Sequence, residues 1–320
     1  MASPPSARPV VVTGGAGAIG VYLVGALLKA GHEVRVIDNF SSGRRDRLPA
    51  PPAPGRLKVV HADLRHLSEI RATFRGAAAA WHLAANPDIR RGTEDPTLDL
   101  EHGTIATFNV LEAARRAEVP QVLFSSSSVV YGYPKSLPTP EDYGPLLPQS
   151  LYGAAKLASE GLLSAYAYTY GMRTVIFRFA NIIGPTMTHG VIFDFFEKLK
   201  RDPSRLEVLG DGRQAKSYLR VEDCVTGMVV AATRSNEPVC VYNLGTRDQT
   251  SVREIAEKVV AARGGTARIE YRGGERGWAG DVPVQLLGID RIAALGWSPR
   301  YSSTQAVDLT IRELAERYRA

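Results

Sequence analysis

The sequence predicts an α/β protein, a doubly wound parallel sheet carrying a smaller mixed α/β lobe. Three observations predict it. Short β-branched runs alternate with helical patterns through the first 180 residues, joined by short connections. A glycine-rich turn links the first run to the first helical pattern. After Asn181 the alternation gives way to shorter, irregularly mixed segments.

In order, residues 10–12 read as a strand entering Thr13-Gly14-Gly15, and a helical pattern follows to Lys29, stopped by Gly31. Strands are expected at 33–37, 57–61 and 78–83, with a loop of four prolines at 48–55. Residues 67–75 and 96–118 read as helices, 121–125 as a strand, and 132–148 as a loop rich in Pro and Gly. A helix at 151–170 and a strand at 174–179 complete the alternation. Beyond it, helical patterns at 190–200, 223–234, 252–263 and 303–318 mix with short strands at 205–209, 239–243 and 267–271. The expected organisation is a flexible tail at 1–9, a sheet domain at 10–180 and a lobe at 181–320, with 221–245 returning to the sheet.

Composition narrows the class. No apolar run reaches the roughly 18 residues of a membrane span, and the start MASPPSARP lacks the apolar core of a secretory signal. The two cysteines are too few for a disulfide framework, and the six histidines form no metal-spaced pair, so no metal is expected. A reducing cytoplasm is the default location. The net charge of +6 comes from 31 arginines and 8 lysines spread along the chain without a block of five like charges. This argues against a nucleic-acid footprint and suits an anionic small molecule.

Chemistry is carried by three local patterns. Gly14, Gly17 and Gly20, with Ala18 and Ile19 between them, form a G-x-x-G-x-x-G turn between strand and helix. Such a turn brings backbone and a helix N-terminus against a pyrophosphate. Asp38 ends the second strand 18 residues after Gly20, where a carboxylate accepts from both ribose hydroxyls and repels a 2′-phosphate. NAD is thereby favoured over NADP, although Arg44 and Arg45 follow closely. Residues 10–180 then read as an NAD-binding domain of Rossmann type.

Tyr152 and Lys156 stand four apart at a helix start, on one face. A free phenol has a pKa of about 10 and is a poor base at neutral pH; a neighbouring ammonium lowers it. Ser125 and Ser127 close a strand at its carboxyl end, where open α/β sheets bind ligands, and the Ser127 hydroxyl is suited to pass a proton to Tyr152.

With these patterns in place the chain resembles the extended short-chain dehydrogenase/reductase family, in particular NAD-dependent nucleotide-sugar epimerases of the UDP-galactose (UDP-glucose) 4-epimerase type. The matching stretches include VVTGGAGAIG, VIDNFSSG, HLAANPDIR, FSSSSVVYG, SLYGAAK, FRFANIIGP, LGDGRQAKSYLRVEDC and RGWAGDV, so nearly the whole chain is covered. The resemblance implies that Asp38 and Asn39 meet the adenosine ribose beside Ser42 and Gly43, and that Asp63 and Leu64 flank adenine. Leu83, Ala84, Ala85 and Ser125 would line the nicotinamide side. Ser127, Tyr152 and Lys156 match the catalytic trio. Asn181, Lys216 and Arg276 would meet the nucleotide diphosphate, Val191 would belong to the substrate site, and residues 206–209, Leu206 and Val208 among them, would cradle the nucleobase through their backbone. Relatives pair the helices at 96–118 and 151–170 across a two-fold, which implies a homodimer with a four-helix bundle.

This chain departs from the resemblance at Lys216 and Trp278, where arginines are usual, at Gly103, usually asparagine, and at Pro87, a lysine in some members. Dehydratases of the family carry Asp and Glu directly after the catalytic hydroxyl residue, and its sugar-acid decarboxylases carry a glutamate where Val129 stands; here those positions are Ser128 and Val129. The expectation is therefore an epimerase inverting C4 of a UDP-hexose, UDP-glucose/UDP-galactose first. UDP-N-acetylhexosamine and UDP-hexuronate are the alternatives, with a dehydratase, reductase or non-catalytic dinucleotide sensor behind them.

Overall fold

The computed structural model describes residues 8–275, 277 and 280–319. Its centre is a seven-stranded, wholly parallel sheet. The strands are β1 (Val10–Thr13), β2 (Val34–Asp38), β3 (Leu57–His61), β4 (Ala79–His82), β5 (Gln121–Ser127), β6 (Arg173–Phe179) and the strand Val239–Leu244. Their order across the sheet is Val239–Leu244, β6, β5, β4, β1, β2, β3. β1 lies between β2 and β4, with Thr13 in register with Ile37 on one side and His82 on the other. The order reverses there, and a crevice opens beyond the strand ends at that switch point.

Alternation along each strand feeds two cores. Val10 and Val12 pack with Leu23, Val24 and Met228 on one face, while Val11 packs with Phe74, Val110 and Leu163 on the other. The covering helices include α1 (Gly20–Lys29), α2 (Leu67–Ile70), α3 (Arg91–Glu94), α4 (Pro96–Asp99), α5 (Ala106–Arg116) and α6 (Leu151–Tyr170). A third core belongs to the lobe, where α7 (Val191–Arg201) packs with helices Val252–Ala262 and Ser303–Arg317 through Phe195, Phe196, Ile255 and Leu314. Capping boxes at Ser251/Glu254 and Ser302/Gln305 start those two helices.

Several expectations are refined. The helix read over 96–118 is interrupted by a π turn, Leu100–Ile105. Gly103 lies in that turn where any Cβ would come 2.8 Å from the Ala155 Cβ of α6, so the rod widens where it is pressed against its neighbour. The helix at 67–75 is an α turn followed by a 3-10 turn, Arg71–Phe74. Arg8 and Pro9, assigned to the tail, are tied down: Arg8 donates to the carbonyls of Gly76 and Ala77, and Ala78 N donates to Pro9 O. The lobe holds strands of two to four residues that periodicity does not reveal. Asn181–Ile183 pairs with Tyr218–Arg220, and Ala215–Lys216 lies between Thr250–Ser251 and Val284–Gln285.

Candidate active site

The glycine turn sits at the switch point. Gly14, with φ +67, passes so close to the segment that follows β4 that a Cβ would lie 2.7 Å from Ala84 N, and a Cβ at Gly20 would collide with the Gly14 carbonyl. Gly17 N donates to Gly14 O, and Ala18 leads to Ile19, which caps α1 without any side-chain hydrogen bond. Bare backbone at a helix start suits a pyrophosphate. Asp38 is buried, accepting from Ala16 N (2.9 Å) and Phe40 N (2.8 Å), so the carboxylate is locked onto the glycine turn with lone pairs still free for a ribose. Asn39 is oriented by Ser41, Gly43 packs against Ala16 and Asp38, and Ser42 is exposed beside them.

A cleft runs from Gly14 past Asp38 and Asn39 to Asp63 and Leu64, and back to Ala84 and Ala85. Leu83 packs behind it against the core. Arg65 chelates Asp63 and holds its carboxyl down at about 2. The cleft also takes in Ile37, Ala62, His102 and Ala106, which sequence reading missed. These residues fit NAD: Asp38 would meet the ribose and the glycine turn the diphosphate.

Tyr152 and Lys156 occupy the start of α6. Ser150 caps this helix by accepting from Gly153 N (3.1 Å), and Gly153 lets the helix approach Val129 O and Pro148. The Lys156 ammonium is buried, 2.6 Å from the Ser125 carbonyl, 4.7 Å from the Phe124 ring and 5.6 Å from the Tyr152 ring. Burial lowers its pKa to about 7, against the opposing pull of Glu160 and Asp99. Burial, then the Asp99 charge, pushes the Tyr152 phenol well above its usual value, the reverse of the lowering expected from Lys156, because desolvation outweighs the ammonium here. The Ser127 hydroxyl ends β5 and accepts from Val129 N (3.4 Å), so it caps the turn Ser128–Tyr131, two residues beyond the Ser125 carbonyl that holds Lys156. Ser125 Oγ donates to His82 O.

Behind this trio lies a buried polar layer. Arg178 on β6 chelates Glu160 at 2.7 Å, both side chains under 8% exposed, and Ser126 donates to the same carboxylate. Arg178 also reaches the Glu141 carbonyl, tying the 132–148 loop to the sheet. His82 bridges Thr13 and Thr107, and burial plus the Lys156 charge push its pKa down to about 3, so it is uncharged. Glu160 continues the spacing of Tyr152 and Lys156 by four, a signal available in the sequence.

In the lobe, Asn181 donates from its side chain to Ser217 O and Gln285 Oε1. Val191 opens α7 after Gly190. The side chains of Leu206 and Val208 are wholly buried in the third core, their strand pairing with Arg268–Tyr271, so only backbone there can face a ligand. Lys216 is engaged by Asp281 at 2.6 Å, a partner 65 residues away. Asp281 also accepts from Gly277 N, so Gly277 is tied to the same pair. Arg276 lies outside the described residues. Among the described residues no cluster of His, Cys, Asp or Glu could hold a metal, and no helix is long and apolar enough to cross a membrane.

Fold and site together define an NAD-dependent enzyme of the extended short-chain dehydrogenase/reductase, UDP-sugar epimerase type. The chain belongs to the NAD dependent epimerase/dehydratase family, whose profile matches residues 10–245. It is similar to the UDP-glucose 4-epimerase of Mycolicibacterium smegmatis, 32% identical over 309 residues that cover 94% of this chain and 96% of the relative. Its fold is similar to that of a UDP-galactose 4-epimerase crystal structure, 40% identical with a TM-score of 0.86 over 97% of this chain and 99% of that one. It also resembles the Thermus thermophilus UDP-glucose 4-epimerase in complex with NAD, at 31% identity and a TM-score of 0.83, covering 95% of this chain and 98% of that one.

Proposed function

We propose that this protein inverts C4 of a UDP-hexose through a transient 4-keto sugar, with UDP-glucose and UDP-galactose as its substrate pair. The observation that carries the reading is the grouping of Tyr152, Lys156 and Ser127 at the carboxyl end of β5, with Ser128 and Val129 where a dehydratase needs carboxylates. The named activities of the Mycolicibacterium and Thermus relatives support it.

In this reading Ser127 relays the C4 hydroxyl proton to the Tyr152 phenolate, which Lys156 stabilises. Bound NAD supplies the acceptor and donor of hydride at C4. The ketone turns its opposite face, Tyr152 returns the proton through Ser127, and the alcohol is inverted. Asn181 and the Lys216–Asp281 pair would grip the nucleotide so that only the hexose turns. We place the protein as a homodimer in a reducing cytoplasm. Exposed Leu100, Ile105 and Phe108 on one rod, and Leu151, Tyr168 and Tyr170 on α6, support a bundle between two copies, and both cysteines are free and buried.

Incubation with a panel of UDP-hexoses, UDP-N-acetylhexosamines and UDP-hexuronates, read by product chromatography, tests the assignment. UDP-glucose should yield UDP-galactose. Turnover confined to another sugar class, or none, overturns it.

A further inference from the structure

Asp99 is a carboxylate that the mechanism above does not use. It ends α4, packed on α6, and is 2% exposed. One oxygen accepts from Asn86 Nδ2 at 3.0 Å; the other has no hydrogen-bond partner. Asn86 is itself fixed, exchanging hydrogen bonds with the Asp88 backbone. The unpartnered oxygen rests against Gly92, where any side chain would collide with it. A buried carboxylate with one neutral partner costs stability, and packing alone gives no reason to keep it.

Its surroundings supply the reason. α4, which carries Asp99, packs on α6, and Gly103 just beyond it meets Ala155, the residue before Lys156. The charges that act on Lys156 are Glu160 on its own helix and Asp99 on α4, with Tyr152 beside it, His82 on β4, and Arg178 on β6 behind Glu160. Glu160 is already neutralised by Arg178, and His82 is uncharged. His102, in the π turn, faces Asp99 from the cleft side. Burial pushes the Asp99 carboxyl up, against the pull of Asn86, Lys156 and His102, and Asp99 is the one carboxylate of this group with no basic group hydrogen-bonded to it among the described residues. We propose that Asp99, held between Asn86 and Gly92, is the counter-charge of Lys156 and a positioning residue for the Tyr152–Lys156 pair. The proposal rests on that pair being catalytic.

The sign of its effect follows from charge. A buried anion favours the Lys156 ammonium and disfavours the Tyr152 phenolate. Removing it makes both groups lose their protons at lower pH. Turnover needs the Tyr152 phenolate beside the Lys156 ammonium, so when both groups lose their protons at lower pH both limbs of the profile move in the acid direction.

Asp99→Asn in the NAD-bound protein keeps shape while removing the charge; Asp99→Ser is the second variant. The kcat/KM profile for UDP-glucose should shift as a whole by about one pH unit or more toward acid. In protein carrying 13Cε-labelled lysine, with Lys156 assigned among the 8 lysines by Lys156→Met, the Lys156 resonance should titrate at lower pH in both variants. An unmoved Lys156 titration with unmoved limbs overturns the proposal and leaves Asp99 a structural residue. If Lys156 proves dispensable for turnover, the catalytic reading falls by itself, and the resonance titration still decides whether Asp99 is its counter-charge.

Discussion

Lys156 Nζ lies 2.6 Å from the carbonyl oxygen of Ser125, two residues before Ser127 on the same strand. The bond spans two elements, α6 and β5, and takes one of the ammonium's three donors. It fixes the height of Lys156 below the strand end, so the helix carrying Tyr152 and the strand carrying Ser127 are held as one unit. Precise placement of this kind is what proton transfer between a sugar hydroxyl and a phenol requires.

Tyr152→Phe removes the proton acceptor and leaves the helix intact. Turnover should fall by about 10²–10⁴, the scale of general acid–base catalysis, while calorimetric affinity for UDP stays within about twofold. Near-normal turnover would remove Tyr152 from the mechanism.

Asp38→Ala takes away the acceptor of Ala16 N and Phe40 N as well as the proposed ribose contact. The variant should be purified with little bound nucleotide, and mass spectrometry of denatured parent protein should find NAD rather than NADP. A parent loaded mainly with NADP would mean that Arg44 and Arg45 outweigh the carboxylate.

The Glu160–Arg178 pair is buried on both sides. Arg178→Met should cost about 3–5 kcal/mol in denaturant unfolding, because the Glu160 charge is left unpaired, and Glu160→Leu added to it should restore much of the loss. Equal destabilisation by the single and double variants would show that the pair's charges do not govern this layer.

These residues differ in how legible they are. The glycine turn, Asp38, Tyr152 and Lys156 are local patterns, each set by one turn, strand end or helix face, and the parallel sheet follows from strand–helix alternation. Lys216 reads as a free cation in the sequence because Asp281, which engages it, is distant in the chain. Asp99 and Asn86 meet only through the folding of the 83–99 segment, and the room for Asp99 comes from a missing side chain at Gly92. The two-residue strands of the lobe exist through pairing with remote partners, so no periodicity announces them.

Two copies should associate through the exposed apolar residues of the rod and α6, where Tyr168 is 75% exposed. Light scattering at micromolar concentration should give twice the 34.7 kDa chain mass, and Phe108→Asp should reduce it to one. A monomeric parent protein would contradict the bundle.

The proposed reaction is inversion without dehydration. Ser128 and Val129 offer no base to C5, and Asp99 is sealed behind Asn86 and Gly92, out of reach of a sugar. UDP-glucose deuterated at C4, incubated in ordinary water and followed by NMR and mass spectrometry, should become UDP-galactose with the label retained at C4; unlabelled substrate in heavy water should gain no deuterium at C5. A product lighter by one water, or C5 exchange at a rate comparable to turnover, would contradict the account.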